Sequence, residues 1–284
     1  VLFRSGMYLG HFNLAEPPFS ITPDTQFIYS AASHQEALNT LMTAVRGGEG
    51  FVKITGEVGT GKTLLCRRFL ALLGEDCVAA YIPNPQFDAK ALLLEVAEEL
   101  GAEGGAGDAV HLIKRINRRL LAVAEQGRTA VLCIDEAQTM PSLTLETLRL
   151  ISNLETEKRK LIQIVLFGQP ELDEKLALPS ARQLRQRIVF HYCMPPLSRR
   201  EVGGYLEHRL QVAGFRGGRL FTGPAVGSLY RHSGGRPRLV NILAHKAMLA
   251  AFGEGAAQVR LSHVRAAARD TESAFGRRWL LLGM

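Results

Sequence analysis

The chain has 284 residues, 46% of them hydrophobic and 21% charged, an ordinary balance for a soluble globular protein of one large domain or two modest ones. No run approaches the ~18–20 apolar residues of a membrane span, and the start lacks the apolar core and cleavage site of a signal peptide. The net charge of +7 is uneven: residues 1–181 hold 17 Lys and Arg against 22 Asp and Glu, residues 182–284 hold 17 against 5, and the basic part suits either solvated helix faces or an anionic partner, nucleic acid or membrane lipid.

Residues 1–6 do not resemble the rest of the chain, and Met7 reads as the natural start. Residues 8–33 are irregular. Pro17-Pro18 and Pro23 disfavour regular structure, while Phe12, Phe19, Phe27 and Tyr29 suggest a segment pinned onto a domain surface. Ser33 can cap a helix from His34 to Arg46, with Glu36 at its third position and Leu38, Leu41, Met42 and Val45 at helical spacing.

The run Phe51-Val-Lys-Ile-Thr55 then feeds Gly56-Glu57-Val58-Gly59-Thr60-Gly61-Lys62-Thr63, and Leu64 begins an apolar helical pattern. This is a phosphate-binding loop in its strand-to-helix setting. Gly56, Gly59 and Gly61 allow backbone angles that residues with a Cβ resist, so bare N–H groups can face phosphate oxygens. Lys62 is placed to reach the β- and γ-phosphates and Thr63 to ligate Mg²⁺.

Strands and helices alternate after the loop: helix 62–73, strand 77–82, helix 88–100, a glycine-rich spacer 101–107, helix 108–126, strand 129–134, helix 142–155, strand 161–167, helical turns 171–186 and strand 188–192. The strands are short apolar runs without clean alternation, as expected of a parallel sheet covered on both faces. After Pro195-Pro196 only helical periodicity remains, over 198–213, 223–233, 236–252 and 262–275, with Ser198 and Ser262 as caps. Cys66, Cys77, Cys133 and Cys193 lack metal or redox spacing and read as buried free thiols, which suits a reducing, cytoplasmic compartment.

Strand 129–134 ends in Asp135-Glu136. Carboxylates at the carboxyl end of a parallel strand lie in the ligand crevice. Asp135 is placed to hold Mg²⁺ beside Thr63, and Glu136 to polarise the attacking water. Gln169, after strand 161–167, can position the same water. Asn84, after strand 77–82, either hydrogen-bonds Glu136 and holds it off the water or serves the turn between Pro83 and Pro85. Phosphoryl transfer also needs positive charge at the γ-phosphate, often an arginine from a neighbour. Arg182, Arg185 and Arg187 cluster before strand 188–192, and Arg238 opens a helix that can fold over the nucleotide.

With these residues in hand the chain resembles the AAA+ ATPases of the ExeA/GspA group, in the branch tied to mannose-sensitive haemagglutinin (MSHA) pilus biogenesis. The likeness runs from Met7 to about Phe275. It rests on Pro17-Pro18-Phe19 with Thr22-Pro23-Asp24, Ser33–Leu38, Gly56–Thr63, Tyr81–Pro85, Ile134-Asp-Glu-Ala-Gln138, Asn153-Leu-Glu-Thr-Glu157, Phe167-Gly-Gln-Pro-Glu-Leu172, Leu184–Ile188 and Gly234–Leu243. It implies an AAA+ fold, with a five-stranded parallel α/β sheet domain over 34–196, a helical lid over 197–284 and residues 1–33 packed on the core. It implies Gln169 as first sensor, Arg238 as second sensor, Arg187 as arginine finger with Arg185 its rival, and Asn84 as the switch that pairs with Glu136. His34 and the preceding segment lie near the adenine in this picture. The implied activity is ATP hydrolysis with Mg²⁺ in a ring or partial ring of identical subunits, serving pilus or secretion assembly proteins at the inner membrane. GspA-type relatives continue into a membrane span and a periplasmic domain; this chain reads either as a shorter form, the preferred expectation, or as one cut where a span would begin, with Arg277-Arg278 before an apolar run. The runner-up is a DNA-handling ATPase, of the transposition-regulator or helicase-loader type.

Overall fold

The computed structural model describes residues 7–20, 25–27, 29, 31–48, 50–105, 107–156 and 160–275. The leader 1–6, the motif Thr22-Pro23-Asp24, the last residue of Asn153–Glu157 and the tail 276–284 lie outside them. The chain divides into two compact units. One comprises Ala32–Glu57 and Lys62–Met194; the other comprises the residues up to Ala31, Val58–Gly61 and those from Pro195 on.

The first of these units is built on five strands, β1 (Phe51–Gly56), β2 (Cys77–Ile82), β3 (Thr129–Ile134), β4 (Ile162–Gly168) and β5 (Ile188–Met194). Their order is β2-β3-β4-β1-β5 and every neighbouring pair is parallel. β1 and β4 are buried at every position, because helices cover both faces. On one face pack α3 (Ala89–Glu99), α4 (Ala109–Glu125) and α5 (Ser142–Ser152), through Leu93, Val96, Ile116, Leu120 and Leu148. On the other pack α1 (Ala32–Gly47) and α2 (Lys62–Leu72), through Leu41, Leu65 and Phe69. Asp88 and Asp108 cap α3 and α4, each accepting a backbone N–H at 2.8 Å. The parallel direction brings the ends of β1, β3 and β4 to one edge of the sheet, so the residues after all three meet there.

Several expectations need correction. α1 begins at Ala32, so Ser33 is a first-turn residue rather than the cap. α5 stops at Ser152, three residues early. The turns from 171 form α6 (Glu171–Ala177) and α7 (Arg182–Arg185), separated by a turn at Pro179. β5 alternates in exposure because it is an edge strand with one face open, and its register on β1 slips between Phe51 and Val52. Cys193 is therefore exposed, and Cys77 on the opposite edge strand is half-buried; only Cys66 and Cys133 are buried.

The second unit is helical: α8 (Arg199–Val212), α9 (Gly223–Ser233), α10 (Pro237–Gly253) and α11 (Leu261–Phe275). Ser198 caps α8 in a full capping box with Glu201. Ser262, by contrast, lies inside α11, and His263 Nδ1 accepts the Arg260 N–H at the helix start. The proline-rich segment is pinned to this unit. Tyr8, Phe12, Phe19 and Phe27 join Leu206, Leu243 and Met248 in one core. Arg209 donates to the Pro18 carbonyl and lies 4.6 Å over the Phe27 ring, while Asn241 donates to the Ser20 carbonyl at 3.0 Å.

Gly235 sets the approach to α10. Its φ is +73°, and a Cβ there would lie 2.0 Å from the Leu197 carbonyl oxygen, whose own residue donates its N–H to Gly235 O at 2.9 Å. Gly235→Ala should destabilise the protein by at least the ~1–2 kcal/mol of a left-handed backbone, read as a lower melting temperature.

Candidate functional site

In the sheet unit, Lys62 opens α2 with only 5% of its surface exposed. Its ammonium donates to Gly56 O at 2.7 Å and to Glu57 O at 3.0 Å, which leaves the third of its hydrogens for a ligand. Burial pulls its pKa below the ordinary lysine value, and the carboxylates of Glu136, Asp135, Glu57 and Glu171 push back. An anion placed there would favour the charged form. Thr63 follows, and its hydroxyl donates to Asp135 Oδ2 at 2.7 Å. Leu64 is half-buried in the same first turn.

Asp135 is 2% exposed. Beyond Thr63 its carboxylate accepts the Glu136 N–H at 2.9 Å, and no salt bridge to it occurs among the described residues. Burial raises its pKa above the usual carboxylate range, against the lowering effect of those two hydrogen bonds. A buried carboxylate that shares a point with a threonine hydroxyl, and that no cationic side chain pairs, fits Mg²⁺, a hard ion that takes one or two protein oxygens and completes its shell with phosphate and water. Among the described residues no cluster of three or more His, Cys, Asp or Glu could hold a metal without such a ligand.

Glu136 sits in the left-handed region, at φ 51° and ψ 36°, before a single 3₁₀ turn Ala137–Thr139. Its Oε2 accepts the Gln138 amide at 2.6 Å and the Gln169 amide at 3.1 Å. Gln169 is thus brought to Glu136, as its position after β4 implies. Asn84 is not. It is exposed, and its Oδ1 lies 3.4 Å from Thr139 Oγ1, whose one hydrogen is donated to the Glu136 carbonyl at 2.8 Å. The contact of Asn84 is with Thr139, while the Glu136 carboxylate is held by Gln138 and Gln169. The residue types and spacing alone assign no role to Gln138; the left-handed Glu136 and the 3₁₀ turn after it are what bring its side chain to the carboxylate.

Arg187 donates to Ser152 Oγ at 3.0 Å and is half-buried, whereas Arg182 and Arg185 are exposed on α7. His34 is half-buried in the first turn of α1, and Glu57 is exposed.

In the helical unit, the four loop residues Val58–Gly61 meet the start of α10. Gly59 has φ +80° and Gly61 has φ +95°. A Cβ on Gly59 would lie 2.6 Å from the Arg238 Cβ, and the Arg238 N–H reaches Gly59 O at 3.4 Å. Glycine is therefore needed at 59 for two reasons, backbone angle and the close approach of Arg238. Val58 is exposed, Thr60 is buried and Arg238 is exposed.

Residues 45–176 match an AAA domain. The chain is 44% identical over 255 residues to General secretion pathway protein A of Aeromonas hydrophila, which covers 89% of this chain and 46% of that protein. The chain thus spans less than half the length of this relative. Among solved structures it is similar in fold to the Cdc6p of Pyrobaculum aerophilum, with TM-score 0.63 at 18% identity over 93% of this chain and 74% of the other. The Aeropyrum pernix ORC2 protein gives 0.62 at 17% identity over 93% and 75%, and the RuvB Holliday junction branch migration motor of Thermotoga maritima 0.58 at 16% over 87% and 73%.

The Asp135 carboxylate carries a sign for pH. Its folded pKa is raised, so the native state binds more protons than the unfolded one across the window between the two values. Stability conferred by the protonated form is lost as pH rises through that window. Asp135→Asn keeps both hydrogen bonds, accepting from Glu136 N–H and donating to Thr63, without the charge. Thermal melts of the nucleotide-free protein should place this variant above wild type at pH 7, with the gap closing at pH 4.

Proposed function

We propose that this chain, an AAA+ protein through its AAA domain and its five-stranded parallel sheet, binds ATP with Mg²⁺ and hydrolyses it. The observation that carries this is the convergence of buried Lys62, the Thr63–Asp135 pair and the Glu136–Gln169 pair at the ends of β1, β3 and β4.

In this reading the loop Gly56–Thr63 holds the triphosphate by its N–H groups, and Lys62 places its remaining donor on the β- and γ-phosphate oxygens. Thr63 and Asp135 would hold Mg²⁺, which would supply neutralising charge to the phosphates. Glu136 takes the proton of the attacking water, and Gln169 fixes the angle of that attack. Arg238 contributes positive charge from the start of α10. A neighbouring subunit supplies a further arginine. Arg185, exposed on α7, serves that role better than Arg187, which is engaged by Ser152. Asn84 acts on Glu136 through Thr139.

The 44% identity to General secretion pathway protein A supports a secretion-related role, powering or switching a type II secretion apparatus; the alternative of an MSHA-type pilus, in the manner of MshM, rests on the resemblance of the sequence motifs alone. The chain would act as a ring or partial ring on assembly proteins at the cytoplasmic face of the inner membrane. Among the described residues no helix is long and apolar enough to cross a membrane. A second reading, a DNA-handling ATPase, is favoured by one observation, the basic balance of residues 182–284.

Lys62→Ala should lose ATP binding, measured with a fluorescent analogue. Glu136→Gln should bind ATP but reduce turnover by ~10²-fold or more, the scale of a general base; wild-type hydrolysis by this variant would overturn the assignment. DNA binding that weakens steeply between 50 and 200 mM salt, with ATPase stimulation by DNA, would move the function to the second reading.

A further inference from the structure

Gln138 is the residue in the sheet unit whose geometry the proposed chemistry does not use. Its side-chain amide bridges two groups already placed at the site. Nε2 donates to Glu136 Oε2 at 2.6 Å, and Oε1 accepts the backbone N–H of Gln169 at 3.0 Å. The second bond fixes the orientation of the first. Turning the amide over would set its NH₂ against the Gln169 N–H, donor against donor. The donor edge must therefore face Glu136.

The surroundings hold Gln138 where it is. Lys175 on α6 donates to the carbonyls of Gln138 and, at 2.8 Å, Met140, which ties down both sides of the turn. Gly168 leaves the room: a Cβ there would lie 2.7 Å from Leu172 Cδ2 and 3.4 Å from Gln138 Oε1. The Glu136 carboxylate, on a flexible side chain, is thus restrained on one oxygen by two amides, from Gln138 and Gln169.

We propose that Gln138 is a positioning residue for hydrolysis: it clamps Oε2 of Glu136, so that Oε1 is presented to the attacking water, and it couples that carboxylate to the backbone of Gln169. The inference rests on the reading of Glu136 as the base. Gln138 touches neither phosphate nor water. Its effect passes through Glu136, and that gives the test its form.

Gln138→Met keeps the length of the side chain and removes both hydrogen bonds. Gln138→Glu keeps the acceptor for Gln169 and replaces the donor with a carboxylate facing Glu136. Steady-state ATPase assays on the full chain should show kcat reduced by ~10–100-fold in both, the scale of a misplaced catalytic group, with KM for ATP and the affinity for a fluorescent ATP analogue within ~3-fold of wild type. The decisive arm repeats Gln138→Met in the Glu136→Gln background, under single-turnover conditions. A residue that acts through the carboxylate has nothing left to position there, so the second substitution should cost less than ~2-fold. An equal loss in both backgrounds would make Gln138 structural and overturn the proposal, as would undiminished kcat in Gln138→Met. If Glu136→Gln itself hydrolyses ATP at the wild-type rate, the assignment of the base fails and the clamp falls with it. That outcome is distinct from an inactive Glu136→Gln beside an active Gln138→Met, which sinks the clamp alone.

Discussion

Two ions of opposite sign, Lys62 and Asp135, lie 5% and 2% exposed at the end of the sheet. No salt bridge joins them. Each is held by neutral partners, the lysine by two carbonyls and the aspartate by a hydroxyl and an N–H. Burial disfavours the charged form of both, which is why the lysine pKa moves down and the aspartate pKa up. Left alone, such groups are a burden on the fold. Given a phosphate for one and a divalent cation for the other, both become strongly favourable contacts. The end of β1 at Gly56-Glu57, the parallel strands and the short link after β3 hold these two ions at that edge.

Everything near Glu136 then concerns aim rather than charge. The sheet brings β3 and β4 side by side, so Gln169 meets the carboxylate from the neighbouring strand end. The 3₁₀ turn brings Gln138 back from two residues ahead. The same turn sets Thr139 between Asn84 and Glu136, its hydroxyl 2.8 Å from the Glu136 carbonyl and 3.4 Å from Asn84 Oδ1. A contact by way of Thr139 is a softer link than a direct amide–carboxylate bond, and it leaves the resting carboxylate to the two glutamines.

Much of this was legible in the residues. Strand-to-loop-to-helix order around Gly56–Thr63, the acidic pair after an apolar strand and the switch to helical periodicity after Pro196 are local signals, and they mark the elements to within a few residues. Ser198 with Glu201 is a capping box in sequence and in space. What escaped depends on neighbours distant in the chain or on a backbone turn. Cys193 reads as buried in an apolar run, yet β5 is an edge strand and turns that residue outward. Ser33 and Ser262 have the chemistry of caps, but their helices begin one or two residues sooner. Gln138 carries no periodicity, because a single left-handed residue before it redirects the chain.

That left-handed residue is Glu136 itself, one of two described non-glycine residues with positive φ. A side chain with a Cβ pays about 1 kcal/mol or more to sit there, and glycine would sit there freely. The position is therefore one where conformational comfort and chemistry disagree. Evolution in the laboratory toward heat resistance alone would find an easy gain at 136 and would discard the carboxylate to obtain it. The retained glutamate records which of the two demands has prevailed in this chain.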